Sequence, residues 1–160
     1  MAIRLVSAAI GIPILVTSIW IGFPLFLILI TMVSLLALLE IYQMAEKIGA
    51  RPYYYYGFSW TLILLLGVKL GNGDFLVHMT IIGFIVSLFW LIYHRNSNGK
   101  LRDWIYSVMG PLCAGWIMSH AIMLRNSEHG KEWILFVIIT TFATDTFALI
   151  VGKLFGRHRM

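Results

Sequence analysis

The chain has 160 residues, of which 60% are hydrophobic and 12% charged, with a mean hydropathy of +0.87, a net charge of +5 and an isoelectric point near 9.6. A soluble domain carries about 25% charged residues, so half of the usual solvating surface is missing and the composition points to an integral membrane protein. The single cysteine, Cys113, excludes an intrachain disulfide and a thiolate-based zinc site. The basic excess is not a nucleic-acid footprint, since no basic helix with interleaved aromatics accompanies it.

In chain order, the first five residues offer one charge, a long apolar stretch follows, and no small-x-small cleavage site precedes a polar region. The first segment is therefore read as a retained span rather than a signal peptide. Six apolar segments are predicted as helices: 5–21, 23–44, 57–70, 75–93, 105–124 and 133–152. Only "GFP" (Gly22–Pro24) separates the first two, which predicts a tight helical hairpin. Crossing about 30 Å of hydrocarbon takes ~20 helical residues. The third segment is shorter, so it is tilted, extended by the preceding tyrosines, or re-entrant. Pro13 and Pro111 each remove a backbone donor and are expected to kink their helices. No soluble domain, low-complexity tract or internal repeat is visible. The expected architecture is all-α, a polytopic transmembrane bundle of about six spans forming one membrane-embedded domain over residues 1–160.

Loop charge sets the expected orientation. With the N-terminus in the cytoplasm, Arg4, Lys47, Arg51, Arg95, Lys100, Arg102, Lys153, Arg157 and Arg159 fall inside. Only Lys69, Arg125 and Lys131 fall outside, and a bias of that size normally decides topology. Both termini are then cytoplasmic, in a multi-pass protein of the bacterial cell-membrane type. The run Tyr53–Tyr56, with Trp104 and Trp133, lies near the interfaces, where amphipathic rings settle.

Two carboxylates fall within spans, Glu40 in the second and Asp145 in the sixth. A charge at mid-bilayer costs about 2.5–3.5 kcal/mol on insertion scales, so it normally faces a polar cavity or a partner. Thr141, Thr144, Asp145, Ala148 and Gly152 recur at three or four residues and share one helix face. That small, oxygen-rich face suits a hard cation such as Mg²⁺, which would keep the aspartate ionised. The competing reading makes Asp145 a hydrogen-bonding partner of a neighbouring helix, fixing packing alone. Glu40 is a possible supporting polar group, or it snorkels to the interface. "GKLFG" (Gly152–Gly156) has the small-xxx-small spacing that permits close helix approach, and assembly of two copies stays open. Lys153, Arg157, His158 and Arg159 form either a stop-transfer cluster or a phosphate-binding run. Their adjacency to Asp145 favours the second, because acid and base together at a membrane surface suit a metal-bound phosphate. No phosphate-loop or dinucleotide fingerprint occurs. The five histidines show no metal-ligand spacing, and His120, the one well inside a span, is expected to hydrogen-bond within the bundle.

The terminal "DTFALIVGKLFGRHRM" (Asp145–Met160) resembles the motif D-[ST]-x-A-[YF]-x-x-G-[KR]-x-[FL]-G-[KR]-[HT]-[KR] of phosphatidate cytidylyltransferases, the CDP-diacylglycerol synthases. "IRLVSAAIGIPI" is similar to their N-terminal R-x-x-[ST]-[AG] segment, and Glu40 falls where the family often has an acid. Matching positions are Asp145, Thr146, Ala148, Gly152, Lys153, Phe155, Gly156, Arg157, His158 and Arg159. Leu149 and Phe147 depart from the pattern. The resemblance implies that CTP and phosphatidic acid give CDP-diacylglycerol and pyrophosphate, with Mg²⁺ as cofactor and membrane lipids as surroundings. Asp145 would be the catalytic, metal-binding acid, with Lys153, Arg157, His158 and Arg159 on substrate phosphates. Family members usually continue with S-x-x-K-R, K-D and H-G-G elements that this sequence lacks. The expectation is therefore an N-terminal piece of the enzyme, inactive alone. Two other classes stay open: a small ion- or proton-coupled transporter using Glu40 and Asp145, and a noncatalytic membrane scaffold.

Overall fold

Backbone in hydrocarbon has no water to bond, so apolar runs of this length are compelled to be helical. The computed structural model describes residues 2–70, 73–93 and 100–155, and among these six helices and no strand are found. They are α1 (Ala2–Ile21), α2 (Phe23–Lys47), α3 (Tyr54–Leu70), α4 (Gly73–Tyr93), α5 and α6 (Gly130–Phe155). α5 begins as Lys100–Gly110, passes through a π-helical segment Pro111–Trp116, and resumes as Ile117–Arg125. Each predicted segment lies inside one of these helices, and the bundle is all-α as expected. Four stretches are long and apolar enough to cross a membrane: Phe23–Lys47, Gly73–Tyr93, Leu101–Arg125 and Gly130–Gly152. α1, at 20 residues, also has spanning length.

α3 starts at Tyr54, so the tyrosines do extend the short segment, and its 17 residues occupy the middle of the bundle. Trp60, Thr61, Leu64, Leu65 and Val68 are all buried, and α3 packs on α2, α4 and the whole of α5. α2 presents a single stripe to this centre: Phe26, Ile30, Ser34, Leu38, Tyr42 and Ala45. These residues recur every three or four positions and so share one face. Close approach is possible where glycine faces a ring. A Cβ on Gly57 would run into the Tyr42 hydroxyl, and one on Gly83 into the Trp60 indole.

The expected hairpin is present. Gly22 joins α1 to α2 with φ 134° and ψ −178°, a conformation that excludes L side chains, and Pro24 occupies the first turn of α2. At the same end Arg125 Nη2 donates to the Ile19 carbonyl at 2.7 Å, tying the last turn of α5 to the last turn of α1.

Pro13 sits inside an unbroken α1, whereas Pro111 opens the π-helical segment. Proline lacks the N–H that the carbonyl four residues earlier would accept. For Pro111 that carbonyl belongs to Ser107, and the Tyr42 hydroxyl donates to it instead, at 3.0 Å. Tyr42 is wholly buried. Its phenol on α2 completes the backbone of α5, which water does elsewhere but cannot do here.

Exposure separates inner from outer helices. Of the α5 span 44% is buried, but of the α6 span only 6%. α6 packs through its first turns on Ile117–Arg125 of α5, with Ile134 buried and Leu135 and Ile138 partly so. Beyond Ala143 its residues up to Gly152 are exposed on every side, Phe147 and Leu149 among them. Exposed apolar side chains such as these belong in lipid or against other helices.

Candidate functional site

Asp145 lies within this bare part of α6, and its carboxylate makes no hydrogen bond or ion pair with a described residue. The shared face survives folding: Thr141, Thr144, Asp145, Ala148 and Gly152 are all exposed on one helix. Thr141 donates its hydroxyl proton to the Val137 carbonyl at 2.8 Å, and Thr144 donates to that of Thr140 at 2.8 Å. With their protons committed to backbone, both oxygens turn lone pairs outward. One carboxylate with two such oxygens is a hard donor set, the kind that Mg²⁺ accepts alongside water and substrate phosphate. Asp145 would be the charged ligand of that set, and the metal would neutralise phosphate charge there.

The remaining predicted residues are not gathered around it. Glu40 is exposed on α2, off the buried stripe, and α2 and α6 share no substantial contact. Among the described residues no group of three His, Cys, Asp or Glu side chains could hold a metal ion. Lys153 falls on the last turns of α6, while Arg157, His158 and Arg159 lie outside the described residues. His120, expected to hydrogen-bond within the bundle, finds its partner on its own helix. Its Nδ1 lies 2.8 Å from the Trp116 carbonyl and its ring packs edge-on against Trp116.

A polar junction that the sequence reading missed joins the link after α2 to the start of α5. Arg102 Nη1 donates to the Ile48 carbonyl at 3.0 Å and Nη2 to that of Gly49, whose φ of 81° turns the chain. The Arg51 backbone N–H donates to Asp103 Oδ1 at 2.7 Å, and the Tyr53 N–H to Ser107 Oγ at 2.8 Å. Ser107 passes its own proton to the Asp103 carbonyl at 2.6 Å. Asp103 also stands in the first turn of α5, where a carboxylate complements the helix dipole. Loop charge bias accounts for Arg102 only as a topogenic cation, yet its guanidinium closes the turn that leads into α3. The clue in sequence was Arg102 and Asp103 together at the head of an apolar helix.

Beyond these contacts, likeness to other proteins bears on the chemistry. No curated protein and no solved structure matches the chain. The model of one family, described as the cytidylyltransferase family, matches residues 2–160. That match takes in all six helices and the acid-to-basic stretch that ends the sequence, so the chain belongs to the cytidylyltransferase family, which includes CDP-diacylglycerol synthase.

Proposed function

We propose that the chain serves CTP:phosphatidate cytidylyl transfer in phospholipid synthesis, with both termini cytoplasmic and Mg²⁺ as the resident metal. The observation that carries the reading is the lone carboxylate of Asp145 on an oxygen-bearing face of a membrane helix, with Lys153 eight residues on and Arg157, His158 and Arg159 beyond it in sequence. A phosphatidate oxygen attacks the α-phosphorus of CTP, the bond to the β-phosphate breaks, and pyrophosphate leaves. Both reactants are polyanions, so the work is charge neutralisation and alignment. Asp145 stands on the order of 10 Å along the helix from Lys153. Asp145 would hold the metal in the cytoplasmic half of the span, and Lys153 would hold phosphate nearer the surface. Glu40 and Asp145, the two carboxylates within the apolar segments 23–44 and 133–152, are too few to hold both a metal centre and a nucleotide, so the isolated chain is expected to be inactive.

The test is Asp145→Asn in an active enzyme carrying this segment. The substitution keeps size and removes charge, so insertion should persist while turnover falls at least a hundredfold, about the loss on removing one charge-stabilising group. Excess Mg²⁺ should restore part of it. Unaltered turnover in correctly inserted protein would assign Asp145 to packing.

A further inference from the structure

α5 starts with a polar turn beside an apolar ridge. Leu101, Ile105 and Met109 recur every four residues and are all exposed, so they run along one outer face of the helix. Leu101 and Ile105, with Arg102 and Tyr106 of the neighbouring row, line an open groove of about 480 Å³. That volume is within the usual range of about 300–1,000 Å³ for ligand pockets. The stretch of α5 able to cross a membrane begins at Leu101, so the groove lies at the head of a span. No described residue of α6 lines it, which separates it from Asp145 and from the proposed transfer reaction.

Arg102 is the one charged residue on the groove, and its side chain is exposed. Two of the five N–H groups of its guanidinium go to the Ile48 and Gly49 carbonyls, which fixes the group without neutralising it. No carboxylate lies within ion-pair distance of it. Among the described residues the one ion pair is His129 with Glu132, beyond the far end of α5. Asp103, next in sequence, turns Oδ1 to the Arg51 backbone N–H instead, and Glu46 faces the Tyr54 hydroxyl. Lys47 and Arg51 flank the two carbonyls in the chain, and both are exposed. Lys47, Arg51 and Arg102 therefore give this junction an excess of positive charge beside an apolar ridge.

We propose that the groove binds one anionic glycerophospholipid, with its phosphate on the Arg102 guanidinium and one acyl chain along Leu101, Ile105 and Met109. A guanidinium offers paired N–H groups to phosphate oxygens, and basic side chains at a membrane surface attract anionic lipid. A simple hydrocarbon would leave Arg102 without a counter-ion. A soluble anion would leave the apolar ridge uncovered. An anionic diacyl lipid answers both, its charge at the polar turn and its chain directed along the span.

The experiment uses the whole chain in detergent with phosphatidylglycerol bearing a diazirine in one acyl chain, adducts being located by mass spectrometry of peptides. Phosphatidylglycerol is not the acceptor of the proposed transfer, so binding is read apart from turnover. Labelling of residues 101–109 should be saturable, against a non-saturable background on the exposed Ile81 and Ile85 of α4. Unlabelled phosphatidylglycerol should displace it roughly fivefold better than phosphatidylcholine, the preference that one surface cation contributes. Inorganic phosphate at the same concentration should not displace it. Arg102→Gln removes the charge and should reduce phosphatidylglycerol to the level of phosphatidylcholine. Ile105→Glu leaves the Arg102 contacts with Ile48 and Gly49 in place, sets a carboxylate one turn from the guanidinium, and should abolish the same preference. Labelling of 101–109 that excess lipid does not displace would overturn the proposal. So would phosphatidylcholine or inorganic phosphate competing as well as phosphatidylglycerol in the parent chain, or an undiminished preference in either variant. Should Arg102→Gln fail to fold, the parent comparison and Ile105→Glu decide alone.

Discussion

Replacing Tyr42 with phenylalanine removes one oxygen and leaves the ring in place, still packed edge-on against Tyr54 at 5.1 Å. The oxygen lost is the donor to the Ser107 carbonyl, at 3.0 Å and fully buried. Pro111 provides no alternative, since it has no N–H. The Ser107 carbonyl is then left without that donor inside the bundle, and the cost is the desolvation of one polar group, about 1–3 kcal/mol. Restoring a backbone donor should cancel most of this. In a Pro111→Ala background, residue 111 bonds Ser107 in the ordinary helical way, and Tyr42→Phe should then cost under about 1 kcal/mol. Unfolding of the four proteins by SDS titration in mixed micelles, followed by circular dichroism, gives the coupling energy directly. A Tyr42→Phe cost that is the same in both backgrounds would refute the idea that the phenol substitutes for the missing proline N–H.

Gly57→Ala places a methyl group against the Tyr42 hydroxyl, and overpacking of this kind should destabilise by about 1–3 kcal/mol in the same titration. A neutral result would mean that α2 and α3 are not in close contact there. Single-cysteine reporters near Arg51, Asn72, Asn98 and Ser127, in a Cys113→Ala background, test the topology: Asn72 and Ser127 should react from outside and the other two should not. The reverse pattern contradicts the charge-bias orientation. Glu40→Gln in an active enzyme should reduce turnover much less than Asp145→Asn, because Glu40 is exposed and stands on a helix apart from α6. Equal losses would require the two acids to act together.

The helices were legible because hydrocarbon imposes one backbone solution on any long apolar run, and the runs here are broken only by short polar clusters. Their ends were less legible. α5 begins at Lys100, five residues before the apolar segment, because its first turn is polar and is held by Arg102, Asp103 and Ser107. Pro111 was recognised as a disturbance, but its outcome depended on Tyr42, 69 positions earlier, whose aromatic side chain reads simply as apolar. In sequence the tyrosine run reads as an interface belt. Tyr55 fits that description at 93% exposure, yet Tyr54 packs on Tyr42 and Tyr56 bonds to Gly83. Asp145 was found from sequence because an acid among apolar residues is conspicuous. That its helix face is left bare by the rest of the bundle depended on how far α6 packs on α5, which periodicity does not encode.

Cytidylyl transfer to phosphatidate is the central claim, and product formation tests it most directly. The chain would be reconstituted with phosphatidic acid, Mg²⁺ and labelled CTP, alone and joined after Met160 to the C-terminal portion of another cytidylyltransferase. CDP-diacylglycerol and pyrophosphate would be followed together. The account predicts equimolar release of both from the joined protein, loss of both with Asp145→Asn, and no product from the chain alone. Sustained product from the isolated chain would overturn only its expected inactivity; an active joined protein that transfers to an acceptor other than phosphatidic acid would contradict the central claim, as would full turnover with Asp145→Asn.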